Sequence, residues 1–132
     1  MSKDDELLSQ AKAAAARAYA PYSQFRVGAA VRAGGQVYSG CNVENASYGL
    51  SICAERVAIF TAIAAGAKRI DGIALICVDA KPSAAPAGEV PCGACRQVIA
   101  EFAAPDVPIY LGSGRVMLLK DLLPNPFTLS SS

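Results

Sequence analysis

The sequence predicts an α/β fold, a three-layer α/β/α sandwich around a mixed five-stranded sheet. Three observations lead there. The helix-like and strand-like segments alternate in the order α-β-β-α-β-α-β-β. The fifth of them, "IDGIALICVDA", is a nearly continuous apolar run, the pattern of a central strand covered on both faces. The chain has 132 residues, the size of one ordinary domain with a real core, so a single domain over 1–132 is expected.

The elements follow in order. "DDELLSQAKAAAARAYA" (4–20) is rich in helix formers, with acids at its start and Lys12 and Arg17 further on, and Pro21 is expected to stop it. "FRVGAAVRAGGQVYSGCNV" (25–43) reads as two strands around Gly34-Gly35, a doublet suited to a tight hairpin turn. Ala54 to Gly66 has no breaker and is apolar on nearly every side, which predicts a helix packed deep in the core. The central strand at 70–80 comes next, then a loop at 81–91 with three prolines. Cys92 to Ala103 is a helix ended by Pro105; 107–112 and 115–119 are strands; 122–132 is an irregular tail.

Composition narrows the function. Apolar residues make up 53% of the chain, but the longest uncharged apolar run, Val57 to Ala67, is too short to span a bilayer. A surplus of apolar residues on a small body suits a homo-oligomer. Twelve basic against eleven acidic residues, with no basic block, favour a small, roughly neutral ligand over a nucleic acid. The acidic N-terminus lacks the basic and apolar regions of an export signal, which predicts a cytoplasmic protein without membrane attachment. Five cysteines, an odd number, argue against a disulfide framework, and the absence of histidine excludes the usual Cys-His and Ser-His nucleophiles.

Any zinc site must therefore be built from cysteines and carboxylates. "PCGACRQV" (91–98) places Cys92 and Cys95 three residues apart at a helix start, on one face of the first turn. Cys53 heads the other core helix in the same way. Backbone N–H groups and the positive helix end lower thiol pKa values there and favour the thiolates zinc requires. Three thiolates leave a fourth tetrahedral position open, as in a catalytic rather than a closed structural site. The rivals are a redox C-x-x-C pair and a closed site completed by Cys41 or Cys77, both read here as small buried hydrophobes.

In "SICAERVAIF" (51–60), Arg56 shares a helical face with Cys53, where its guanidinium can donate to the thiolates and relieve their negative charge. A surface ion pair is the plainer alternative. Glu55 points away from Cys53 on ideal spacing, a poor fourth ligand, but from a helix mouth its carboxylate can swing over the site and carry protons. Its plainer reading is an acid in the first turn, stabilised by the helix dipole.

With those residues in view, the sequence resembles the cytidine deaminase family, and most of all its small homotetrameric branch with an all-cysteine zinc site. The likeness runs from "YAPYSQFRVGAA" through "GCNVENASYG", "CAER" and "PCGACRQV" to "LLPNPF". "CAE" and "PCGAC" match the zinc-deaminase signature. The resemblance implies one zinc ion per subunit on Cys53, Cys92 and Cys95. Glu55 would take a proton from the attacking water, protonate N3 of cytosine and help ammonia depart. It also implies that the Ala54 backbone contacts the base, that Phe25 stacks on it, and that Asn42 and Glu44 bind the ribose. Ala46, Tyr48 and Phe127 would reach the site of a neighbouring subunit. An amide and a carboxylate two positions apart suit a sugar hydroxyl, and Glu44 would repel a phosphate, so a free pyrimidine nucleoside is favoured.

The function implied is zinc-dependent hydrolytic deamination of cytidine and deoxycytidine in pyrimidine salvage. The alternatives are a deaminase for another aminopyrimidine nucleoside, a zinc-stabilised interaction module with a closed four-cysteine site, and a nucleic-acid editor, which the balanced charge disfavours.

Overall fold

The computed structural model describes residues 2–80 and 89–129. Most of the proline-bearing loop expected at 81–91, and the last three residues of the tail, lie outside that range. Helix α1 (Lys3–Ala15) is capped by Ser2, whose hydroxyl accepts from Asp5 N at 3.1 Å, and carries Asp4, Asp5 and Glu6 in its first turn. It stops five residues short of the expected end. There Tyr19 pairs with the chain beyond the hairpin: Tyr19 N donates to Asn42 O (3.0 Å) and Glu44 N to Tyr19 O (2.9 Å). Tertiary pairing overrides helix propensity at this point.

Strands β1 (Val27–Ala33) and β2 (Gln36–Cys41) form the predicted hairpin, with Gly34 and Gly35 at φ 57° and 80° in the turn. Helix α2 (Ala54–Ala64) leads to β3 (Gly72–Cys77), and α3 (Gly93–Phe102) leads to β4 (Pro108–Leu111). The sheet order is β2-β1-β3-β4-β5, with β5 at Val116–Leu118. Only β3 and β4 run parallel, as a crossover through a helix requires; β3 is the central strand.

Alternation along β1 divides the core between the two faces. Ala29, Val31 and Ala33 pack with Ala58, Ile59 and Ala62 of α2, whereas Ala30 packs with Leu7 and Ala11 of α1. Glycine permits the close approach of each helix. A Cβ on Gly28 would lie 1.9 Å from Ala11 O of α1, and one on Gly40 would lie 2.5 Å from Ala58 N of α2.

Two expectations need correction. Helix α2 is not enclosed on every side, for Phe60 is 48% exposed: one face meets the sheet, and no described part of the chain covers the opposite one. An all-apolar pattern cannot say which side the rest of the chain will cover. The last strand ends at Leu118, and Leu119–Leu122 form a helical turn, α4, because Leu119 N and Lys120 N bond back to Val107 O and Pro105 O (3.2 and 2.8 Å). A short 3₁₀ turn at Tyr48–Leu50 was likewise not signalled by the pattern.

Candidate active site

Cys53 and Cys92 are the N-cap residues of α2 and α3, each with extended backbone, and each carbonyl accepts the first helical hydrogen bond, from Val57 N (3.2 Å) and Arg96 N (2.9 Å). Three residues further in lie Arg56 on α2 and Cys95 on α3. The two helix starts therefore present the same pair of positions to one point. The Cys53 and Cys92 sulfurs are 3.8 Å apart, those of Cys92 and Cys95 3.5 Å, and all three lie within 4.8 Å of one another. Cys41 and Cys77 are outside the cluster, and no fourth ligand joins it among the described residues.

This donor set fits zinc. Tetrahedral bonds of about 2.3 Å put neighbouring sulfurs about 3.8 Å apart, close to the spacing found. The electrostatics agree: Cys53 is drawn down to about 5 by the neighbouring Cys95 thiol and the Arg56 guanidinium, whereas contact with Cys53 and burial push Cys95 strongly up. Crowded sulfurs do not all ionise together unless a cation offsets their charge.

Arg56 Nη2 donates to Cys53 Sγ at 3.4 Å, and its buried Nε has no partner among the described residues. The guanidinium is thus held against the sulfurs, not in a surface ion pair. Glu55, between Cys53 and Arg56, is 4% exposed, and burial pushes its carboxyl up to about 7, with the negative charge of Cys53 adding to the effect. It is not a plain surface acid of a first turn.

A cavity of about 240 Å³ opens above this floor. Cys53, Ala54, Glu55 and Cys92 form its base, and Phe25, Asn42 and Glu44 line it from the segments flanking the hairpin. It sits past the carboxyl end of the central strand β3, the usual place for a ligand in such a sheet. Asn42 is nearly buried and clamps the chain around Phe25: its Oδ1 accepts from Val27 N (2.9 Å) and its Nδ2 donates to Phe25 O (2.8 Å). Glu44 accepts from Tyr22 N (3.0 Å) and Ser23 N (3.1 Å), and Ser23 holds it below the usual carboxylate range.

Ala46, Tyr48 and Phe127 are not brought to this cavity. Ala46 is exposed, Tyr48 is 79% exposed beside a separate hollow, and Phe127 is 68% exposed. Gln97 holds the Phe127 backbone, donating from Nε2 to Phe127 O (2.9 Å) and accepting from Phe127 N (3.2 Å). Arg96 donates to Pro91 O (2.8 Å) and Leu122 O (2.9 Å), tying the start of α3 to the end of α4. Neither role was visible in the sequence, where the only signal was their adjacency to Cys95. Cys77, expected as a small packed hydrophobe, also lines the cavity, and burial together with the nearby charge of Glu55 raises its thiol to about 11.

Residues 1–111 match the family described as the cytidine and deoxycytidylate deaminase zinc-binding region. The chain belongs to this cytidine and deoxycytidylate deaminase family. Among its relatives, the cytidine deaminase of Sporosarcina psychrophila is 40% identical over 94% of this chain and 90% of its own length. That of Mycobacterium tuberculosis is 44% identical over 93% of this chain and 88% of its own. The crystal structure of cytidine deaminase from Burkholderia pseudomallei superposes with a TM-score of 0.83 at 47% identity, covering 96% of this chain and all of that one. The deaminase family's matched region takes in both helix starts that carry the three cysteines, and zinc is the cofactor that family and donor set together call for.

Proposed function

We propose that the chain is a single-domain, zinc-dependent cytidine deaminase over residues 1–132 that hydrolyses cytidine and deoxycytidine to uridine and deoxyuridine plus ammonia, in pyrimidine salvage. The observation that carries this reading is the buried carboxyl of Glu55 in the floor of the cavity, beside three thiolate donors with no fourth ligand among the described residues. The names of the relatives support it.

Cys53, Cys92 and Cys95 would hold zinc, which when bound supplies Lewis-acid activation of water. Arg56 donates into the sulfur cluster and offsets its negative charge. Glu55, able to change protonation near neutral pH, carries one proton of the attacking water to N3 of cytosine and the second, from the hydroxyl then on C4, to the leaving amine, which departs as ammonia. Phe25, Asn42, Glu44 and Ala54 all line the cavity; in this reading Phe25 faces the base, the Ala54 backbone contacts it, and Asn42 and Glu44 hold the ribose.

Exposed apolar side chains at Tyr48, Leu50, Phe60 and Phe127 support a homotetramer in which Ala46, Tyr48 and Phe127 serve a neighbouring subunit. No helix among the described residues is long and apolar enough to cross a membrane. The enzyme would work in the cytoplasm on a small nucleoside, and the near balance of twelve basic and eleven acidic residues disfavours a nucleic-acid partner.

The test is the ultraviolet absorbance change on adding cytidine, before and after zinc is removed by a chelator and restored. Conversion to uridine that disappears with the metal and returns with it is the expected result. No conversion at full zinc loading would sink this function.

A further inference from the structure

We propose that Ser23 is a positioning residue: its hydroxyl joins the carboxylate of Glu44 to the backbone of Phe25, and so sets the sugar-reading group and the base-facing ring in fixed relation. The proposal rests on the nucleoside reading above.

Ser23 is hydrogen-bonded to both residues. Its hydroxyl donates to Glu44 Oε2 and accepts from Phe25 N at 3.0 Å, while its own N–H donates to Glu44 Oε1 at 3.1 Å. A hydroxyl can do both because it is donor and acceptor at once. The next residue, Gln24, has φ 55°, the one non-glycine in the left-handed region among the described residues. Side chains other than glycine rarely hold that conformation unless their surroundings impose it. The Glu44 carboxylate helps to impose it, taking Tyr22 N and Ser23 N on one oxygen and the Ser23 hydroxyl on the other.

The bond count gives the functional consequence. An ionised carboxylate has about four lone-pair sites, and the turn occupies three of them, two on Oε1 and one on Oε2. The remaining site is on Oε2, the oxygen that Ser23 holds, so the hydroxyl decides where the free lone pair points. The same bonds keep Glu44 ionised, hence an acceptor for a sugar hydroxyl and not a donor. Glu44 and Phe25 line one cavity from different segments, so a nucleoside would bridge the two groups that Ser23 joins from behind.

The test measures binding of uridine, which carries the sugar but not the leaving amine, and of 2′,3′-dideoxyuridine, which lacks the 2′ and 3′ hydroxyls, by calorimetry on the zinc-loaded protein. For Ser23→Ala the expected Kd for uridine rises about tenfold while that for dideoxyuridine changes less than about twofold. Ser23→Thr, which keeps the hydroxyl, should restore the discrimination. Equal weakening of both ligands, or an unchanged ratio between them, would overturn the proposal, as would a wild-type chain that binds both nucleosides equally or neither. A wild type that discriminates them but leaves cytidine intact sinks the deaminase reading alone and leaves the role of Ser23 standing.

Discussion

Arg56 Nη2 lies 3.4 Å from Cys53 Sγ, reaching back from the third residue of α2 to the cap of the same helix. The contact places a fixed positive charge on a cluster that otherwise resists full ionisation. Arg56→Ala is expected to lower kcat about 10–100-fold while most of the zinc stays bound, since the sulfurs remain. Turnover and zinc per chain, measured on one preparation, check this; unchanged kcat at full loading would remove the charge-relief role.

Glu55 is the buried acid in the cavity floor. Glu55→Gln keeps the shape and removes the proton carrier, so kcat should fall about 10²–10⁴-fold with zinc content unchanged. Single-turnover measurements locate the loss in the chemical step. A variant that retains most of its turnover contradicts the assignment.

Gly28 leaves no room for a side chain, since its Cβ would meet Ala11 O at 1.9 Å. The atoms it would meet, Ala11 O and Ala15 N, both belong to the backbone of α1, so α1 must move off the sheet. Gly28→Ala should lower stability by about 1–3 kcal/mol or more, read as the urea midpoint. A midpoint equal to that of the wild type would show that α1 docks less tightly than these distances require.

Arg26 and Asp79 pair at 2.8 Å and join the start of β1 to the chain just past β3. Asp79 also accepts from Arg26 N at 2.7 Å, and these bonds hold its carboxyl down at about 2, against an ordinary 3.8. Because the folded value is depressed, the ionised form favours the folded chain: the gain is complete above 3.8 and disappears as pH falls through about 2. Asp79→Ala should therefore melt slightly below the wild type at neutral pH, by a small margin because the pair is exposed, and the two melting temperatures should converge in strong acid. A gap that persists well below pH 2 would mean that another contact is responsible.

Much of the site was legible because its chemistry is local. Cys92 and Cys95 on one turn, Cys53 at the matching helix start and Arg56 one turn beyond are relations of spacing within a helix, and a helix converts spacing directly into direction. The hairpin and the central strand were legible for a similar reason, one through the φ demands of Gly34-Gly35 and the other through unbroken apolarity. Cys77 stays outside the metal cluster, as expected; that it also lines the cavity was not legible, because an apolar run identifies a strand but not which of its ends faces a cavity. The early end of α1 and the turn at Leu119 were missed because each is set by backbone bonds to distant residues, Asn42 in one case and Val107 and Pro105 in the other.

The pattern of residues alone was therefore enough to give the family resemblance, the order of the elements and the zinc donor set. Folding alone decided that the cysteine sulfurs at the two helix starts converge to 3.8 Å, that Glu55 is buried, and that Ser23 bonds to both Glu44 and Phe25. Periodicity reports the environment of a residue along its own element, whereas these distances depend on how separate elements meet across the sheet.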